Sequence, residues 1–555
     1  MPFPHSFGIA TKRREMSPRD RAIRDVNLFG IYRIEDSMTK NAFPHLTIQT
    51  AVEFVANIPK CQRIACVLLA GLGTLLAGPS LPFTRAESVH EVTDNHRTTF
   101  NVRDFGAAGD GTTLDTAAIQ KTLDACATDG SGVVRVPPGN YITGTITLKS
   151  NTTLSLDYGA ALLGSQEIHD YPTKDLRPAR EGNSECLLYA EDATNIRVEG
   201  LGVIDGRGKP DVFPRRAGRN NRDNRPRLMR FENCENVTLS GLTYKNPAFW
   251  GIHLIDCRDV HIDGVTIRFR NNHYNNDGID LDACDNVLIE NCDINAGDDA
   301  ICLKSSLGAC RNFVVRNCKV SSNTAALKFG TSSSGGFINI DVSNCYFYDC
   351  PMGAIKLQIV DGGHMENVNI SRIVMDEVGS PLFIRLGNRG RKYTKNTWTG
   401  PTTGSGQSEG ARVGTVKGIR ITDVIAKVTI EDPARSERAS YKGKAPEQTP
   451  EQVAKARAKA RPIMIAGIPG HPIEDVVLEN IQVSFPGGGT EADTERVVPE
   501  DVARYPEQFF FGVLPAWGAY IRHARKVRFH NVNMATRASD ARERIVLDDV
   551  TDFQE

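Results

Sequence analysis

Asn339-Ile340-Asp341-Val342-Ser343-Asn344-Cys345 decides the fold: an Asn, an aliphatic, a polar residue, an aliphatic, another polar residue, then a turn-former. About ten stretches of the chain share this pattern, with Asn236-Val237, Asn286-Val287, Asn312-Phe313 and Asn367-Val368 at equivalent places. Their starts lie roughly 23 to 28 residues apart, the shortest spacing expected of stacked one-coil units. Within each copy about five residues alternate at period two, so one face turns inward and the other outward. Such a unit cannot bury its apolar face alone and is stabilised by stacking on its neighbours. The reading is all-β: a single-stranded parallel β-helix.

Outward from that centre the pattern continues through Asn195-Ile196, Val260-His261-Ile262, Gly418-Ile419-Arg420-Ile421, Asp475-Val476-Val477-Leu478 and Lys526-Val527-Arg528-Phe529, at late spacings that roughly double. Insertions near 394–412 and 432–461 fall in two of the widened gaps, the second with Thr449-Pro450-Glu451 opening a charged helix. Upstream, Phe100 to Gly106 predicts a strand and turn, and Asp115 caps a helix in which Ala118, Ile119, Leu123 and Cys126 recur at helical spacing. An open solenoid end exposes apolar core and unpaired strand edges, which this capping helix would cover. The β-helix domain is therefore expected over 96–550.

Residues 64–78 (IACVLLAGLGTLLAG) form an apolar run preceded by Lys60 and Arg63 and followed by Thr84-Arg85-Ala86. A run this short, with that small-x-small pattern after it, predicts a signal peptide over 60–86, export to a secreted or periplasmic location, and no stable membrane insertion. Residues 1–59 then read as a doubtful N-terminal extension. The 555 residues carry a net charge of −1 at a pI near 6.9, so there is no basic footprint for nucleic acid. A monomer is expected.

Thirteen cysteines in an exported chain would ordinarily suggest disulfides. Cys292, Cys318 and Cys345, however, each follow an Asn at equivalent places in successive repeats, and Cys257 follows Asp256 in the same manner. They are expected to form an inward stack of small buried thiols, with Cys302/Cys310 and Cys345/Cys350 open as local bridges.

The chemistry sits on adjacent coils. Ile279 and Leu281 alternate with Asp280 and Asp282, which places the acids outward, with Asp277 at the strand's edge. One coil on, Ile301 and Leu303 face inward, Lys304 faces outward, and Asp298-Asp299 take the edge. Stacked coils lie about 4.8 Å apart, so Asp277, Asp298 and Asp299 can share one outer patch beside Asn275 and Lys304. Carboxyls that close separate their pKa values, as glycosidic bond cleavage requires: one protonated acid and one ionised base for water. The same residues also suit turn capping or Ca²⁺ binding.

At these residues the chain resembles glycoside hydrolase family 28, the polygalacturonases and their pectin-cleaving relatives. Asn101 to Ala107 with Gly109-Asp110-Gly111, then Pro137-Pro138-Gly139-Asn140-Tyr141, is similar to the family's opening, and Asn246-Pro247-Ala248-Phe249-Trp250 to its Asn-Ser-Pro-x-Trp. Asn275-Asn276-Asp277-Gly278-Ile279-Asp280 resembles its Asn-Thr-Asp-Gly motif with Asn276 in place of the threonine, followed by Gly297-Asp298-Asp299 at the family's spacing. The resemblance covers about Phe100 to Asp549. It implies a right-handed parallel β-helix and inversion, with Asp298 as general acid and Asp277 and Asp299 holding and deprotonating water.

Two motifs depart from the family. Thr324-Ala325-Ala326 stands where Gly-His-Gly is expected, and Ala354-Ile355-Lys356 keeps the lysine of Arg-Ile-Lys but not the arginine, which in the family grips a galacturonate next to the scissile bond. Lys356 and Arg385, with Arg389 and Arg391 nearby, are candidates to bind substrate in its stead, and His364 to replace the imidazole. Together the expectations are catalytic Asp277, Asp298 and Asp299, substrate-binding Asn275, Lys304, Lys356 and Arg385, a polysaccharide or oligosaccharide substrate, no metal and no cofactor. The rivals are a β-helix polysaccharide lyase using Lys304 or Lys356 as base with Ca²⁺, a hydrolase of another glycan, and a non-catalytic binder.

Overall fold

The computed structural model describes residues 98–214, 224–270, 273–393, 398–399, 412–430 and 460–555. The expected N-terminal extension, the signal peptide and nearly all of the two expected insertions lie outside the described residues. The chain divides into Met1–Val92 and Thr93–Glu555, and the fold concerns the second unit. Among its described residues thirty-two strands join in one system whose pairings are all parallel, apart from a two-stranded antiparallel pair, Lys392–Tyr393 with Trp398–Thr399. The architecture is a right-handed parallel β-helix.

One coil supplies three short strands, such as Ile252–Ile255, Arg258–Asp263 and Thr266–Arg268. The next coil lays Ile279–Asp282, Asp285–Glu290 and Asp293–Ala296 on them in register. From one coil to the next, Val260, Val287, Phe313, Ile340, Val368, Ile419, Val476 and Val527 follow one another as an inward file. All eight are buried, and each such side chain contributes roughly 1.5–3 kcal/mol. The main core thus runs the length of the solenoid, as the alternation implies.

The recurrent Asn has a conformational reason. Asn236, Asn286, Asn312, Asn339 and Asn367 all hold φ between 54° and 58°, the left-handed region that Asn tolerates better than other side-chain-bearing residues. Their amides then stack along the solenoid: Asn339 Nδ2 donates to Asn312 Oδ1 at 3.1 Å, and Asn367 to Asn339 at 2.9 Å. One residue type therefore both turns the chain and ties coil to coil.

Helix Thr116–Thr128 buries Ile119, Thr122, Leu123 and Cys126 against the first strands, as a cap should. Asp115 does not bond the helix's own N–H groups but accepts from Ala108 N (2.7 Å) and Gly109 N (3.0 Å), tying the cap to the loop before it. The eleven described cysteines are all free and buried, so the local bridges do not form. Cys292, Cys318 and Cys345 make one file, thiol on thiol. Cys257 belongs to a second file with Cys234 and Cys284, which Cys310 extends; this corrects its expected place beside Cys292.

Beyond the first coils the separate strands merge into long ones, Phe337–Cys350, His364–Val378, Thr415–Val428, Ile473–Phe485 and Ala516–Thr536. A third interruption, 486–515, was not anticipated. It contains helix Glu491–Thr494 and the 3-10 turn Gln508–Phe511, and it folds back over the outer face of the site-bearing sheet.

Candidate active site

The site lies on the sheet formed by Ile252–Ile255, Ile279–Asp282, Ile301–Ser305, Leu327–Ser333 and Ile355–Ile359. His253, Asp280, Cys302, Lys328 and Lys356 succeed one another in register on its outer side. Asp280 and Asp282 were expected to face solvent; they do point outward but are 0% and 2% exposed. Overlying chain explains the difference. Arg180 pairs with Asp256, and Ser332 Oγ donates to Glu181 at 3.1 Å, drawing the segment before Cys186 across these rungs.

At the strand edges Asp277, Asp298 and Asp299 come together, with a carboxylate oxygen from each within 4.8 Å of the others. The turn before Asp277 is held by Asn276. Its amide donates to Pro247 O at 2.9 Å and Phe249 O at 3.3 Å, and its Oδ1 accepts from His273 N at 2.6 Å. Its carbonyl accepts from both Gly297 N and Asp298 N, so one residue links the two acidic turns. Asn276, substituted for the threonine of the resembled motif, is a clip. Gly278 follows because a Cβ there would meet Ala300 O at 2.4 Å.

The three acids are not equivalent. Asp299 Oδ2 accepts from Lys328 Nζ at 2.8 Å, and its Oδ1 accepts from Thr324 Oγ1 at 2.7 Å. Burial opposes its ionisation, but the Lys328 and Lys356 ammonium groups outweigh burial and hold it below the ordinary carboxylate value. Asp298 is pushed up to about 6, first by burial and then by the Asp299 charge, although Thr324 and Lys328 pull the other way. Burial and the charges of Asp280 and Asp298 raise Asp277 well above its ordinary value. Asp280 rises to about 7 by burial, against the pull of Lys304. One carboxylate is thus kept ionised beside a partner that stays protonated into mildly acid solution.

The remaining candidates divide. Asn275 is in place: its amide lies 3.4 Å from Asp298 Oδ2, while its Oδ1 accepts from Arg225 at 3.2 Å. Lys304 sits 3.4 Å from Asp280 and 4.3 Å above the Trp250 ring. Nearby negative groups, against the cost of burial, hold its pKa well above the ordinary value. Lys356 is buried and paired with Glu507 at 2.6 Å. Arg385 donates to the carbonyls of Gly467 (2.9 Å) and Glu500 (2.8 Å), and none of its hydrogen bonds reaches the acids. Arg389 is buried on Asp361. His364 lies exposed on its strand, bonded to Thr415 at 2.9 Å, and so does not replace an imidazole at the site.

Lys328, Thr324, His253, Tyr505 and Glu507 were missed. Lys328 was recoverable, since Leu327 and Phe329 flank it at period two and leave it outward. Burial holds the imidazole of His253 well below its ordinary pKa, and the ring packs edge-on against Trp250 at 4.9 Å. Tyr505 lies beneath both Lys328 and Arg389, each 5.8 Å from its ring centre. A pocket of about 330 Å³, lined by Gln166, Asp205, Arg207, Gly208, Lys209 and Asn246, contains none of the acids.

Residues 126–437 match the sequence model of the family described as glycosyl hydrolases family 28. The Vitis vinifera protein named "Probable polygalacturonase" is 31% identical over 293 residues, covering 49% of this chain and 60% of its own. An exo-poly-alpha-D-galacturonosidase of Dickeya chrysanthemi is 30% identical over 256 residues, covering 38% and 42%. The chain therefore spans about half the length of these curated relatives. Among solved structures, the Yersinia enterocolitica family 28 exopolygalacturonase is similar at TM-score 0.60 and 21% identity, over 82% of this chain and 78% of that one. The Thermotoga maritima exopolygalacturonase is similar at 0.55 and 23%, over 70% and 87%. Both are likenesses of fold.

Proposed function

We propose, from the premise that this chain belongs to glycosyl hydrolases family 28, that it is an exported enzyme hydrolysing glycosidic bonds in a pectic, galacturonate-containing polysaccharide. It would act as a monomer in a secreted or periplasmic location. The observation that carries this reading is the divided pair: Asp299 held ionised by Lys328, next to Asp298 held protonated to about 6. Asp298 gives its proton to the departing sugar oxygen while water attacks the anomeric carbon and loses a proton to Asp299. Asp277, kept neutral by burial, offers that water a hydrogen bond and leaves Asp299 as the base. The family resemblance supports inversion, although oxygens within 4.8 Å are closer than the roughly 6.5–9.5 Å of most inverting pairs.

The lyase reading loses support because its candidate bases are engaged. Lys304, beside Asp280, is held in its charged form, and Lys356 is tied to Glu507. Incubation with a panel of pectic glycans, with and without chelator, separates the readings. Hydrolysis releases reducing ends with no new ultraviolet absorbance and survives chelation. An absorbing, unsaturated product lost on chelation overturns it in favour of the lyase. Binding without cleavage of any glycan leaves a non-catalytic protein.

A further inference from the structure

Downstream of the acids, the outer rungs carry alternating charges. Lys328 and Lys356 are adjacent in register; Asp299 lies 2.8 Å from Lys328, and Glu507 lies 3.5 Å from Lys328 and 2.6 Å from Lys356. All four side chains are almost wholly buried. Two ammonium groups therefore face two carboxylates, both supplied by the protein itself.

Glu507 is built into its position. Gln358, on the same strand as Lys356, donates to Pro506 O at 2.6 Å. Arg385, one coil on, donates to Glu500 O and Asp501 O, and Asn388 N donates to Val502 O at 2.6 Å. Gln508 donates to Pro462 O at 2.8 Å. Where the outer face becomes apolar, Val498, Phe511 and Leu514 pack on Phe383, Met464 and Tyr520 in a second, smaller core. Arg385 thus serves the site indirectly, by bracketing the segment that delivers Glu507.

We propose that Glu507 is a specificity-determining residue. It occupies the charge of Lys356, so the sugar unit bound on that side of the acids is uncharged, either a neutral sugar or a methyl-esterified uronate. The inference rests on the reading above in one respect, that a pectic glycan binds across these acids. A free uronate there would sit unpaired beside Glu507 or displace it from a buried pair, and like charges brought together at a desolvated site are strongly disfavoured.

The test uses trigalacturonides methyl-esterified at no unit or at one defined unit, with binding followed by calorimetry and cleavage by released reducing ends. Wild type is expected to show one unit at which the ester binds about tenfold tighter than the free acid. Glu507→Gln, which frees Lys356, is expected to abolish or invert that ratio at that unit alone. Lys356→Met combined with Glu507→Gln removes both charges and is expected to keep the wild-type preference. The proposal is overturned by indifference to esterification at every unit, by a Glu507→Gln preference equal to wild type, or by no binding of any trisaccharide. If the expected binding pattern appears with no cleavage, the hydrolase reading fails and this inference stands.

Discussion

Lys328 places its ammonium nitrogen 2.8 Å from Oδ2 of Asp299, and both side chains are almost wholly buried. Against the cost of burial, Asp299 and Glu507 among its neighbours hold the Lys328 pKa well above its ordinary value, so the cation persists at any working pH. With Asp299 ionised and Asp298 titrating near 6, activity should be high in acid solution and fall as pH rises through about 6, where the general acid loses its proton. Lys328→Met removes the charge that lowers Asp299. The rising acid limb of kcat/KM should then move to higher pH and overlap the falling limb. A full pH profile of the variant checks this, and an unmoved acid limb would contradict it.

Thr324 Oγ1 reaches both acids, at 2.7 Å from Asp299 and 3.2 Å from Asp298, one residue before Ala325, which stands where the resembled motif has its histidine. A hydrogen bond to a charged group is worth about 1.5–3 kcal/mol. Thr324→Val keeps the shape and is expected to lower kcat by about 10- to 100-fold with little change in KM. Steady-state kinetics on a cleaved glycan decide it; a threefold effect or less would leave the hydroxyl a bystander.

Asn276→Thr restores the family's residue, yet it should destabilise the protein. The shorter side chain cannot bond Pro247 O, Phe249 O and His273 N together, and each buried group left unpaired costs about 1–3 kcal/mol. Denaturant titration should show a loss of at least about 2 kcal/mol. Unchanged stability would mean that the clip is unnecessary.

Asp298 and Asp280, with values raised to about 6 and 7, bind protons in the folded chain that the unfolded chain has already released. Stability should therefore fall as pH rises from about 4 toward 7, opposite in sign to a salt-bridged carboxylate such as Asp299. Asp298→Asn removes one of these costs and should be more stable than wild type at pH 7 by about 1–3 kcal/mol. Unfolding free energies at two pH values test the sign, and a variant less stable than wild type at pH 7 contradicts it.

Much of this was legible because a solenoid writes its geometry into its period. Asn339 and its equivalents mark each turn, and Ile340, Val368 and their equivalents mark the inward file, so strand direction and coil register follow from spacing alone. The acids were legible for the same reason: Asp277 and Asp298-Asp299 sit one coil apart at one edge. Burial was not, because Asp280 and Asp282 are covered by chain near Glu181 that no periodicity connects to them. Nor was Glu507, which lies 151 residues beyond Lys356 within an interruption whose return path depends on Arg385 and a second apolar core. Basic residues near the acids were read as grips for substrate, whereas the fold had already used several of them internally.

The division of labour between Asp298 and Asp299 is tested most directly by kcat for Asp298→Asn on whichever pectic glycan wild type cleaves fastest, with substrate affinity measured alongside. The isosteric amide cannot give up a proton, so kcat should fall by at least about 10²- to 10⁴-fold while affinity stays within a few fold. A variant that keeps most of its turnover would show that Asp298 is not the acid, and the assignment of both carboxyls would fall with it.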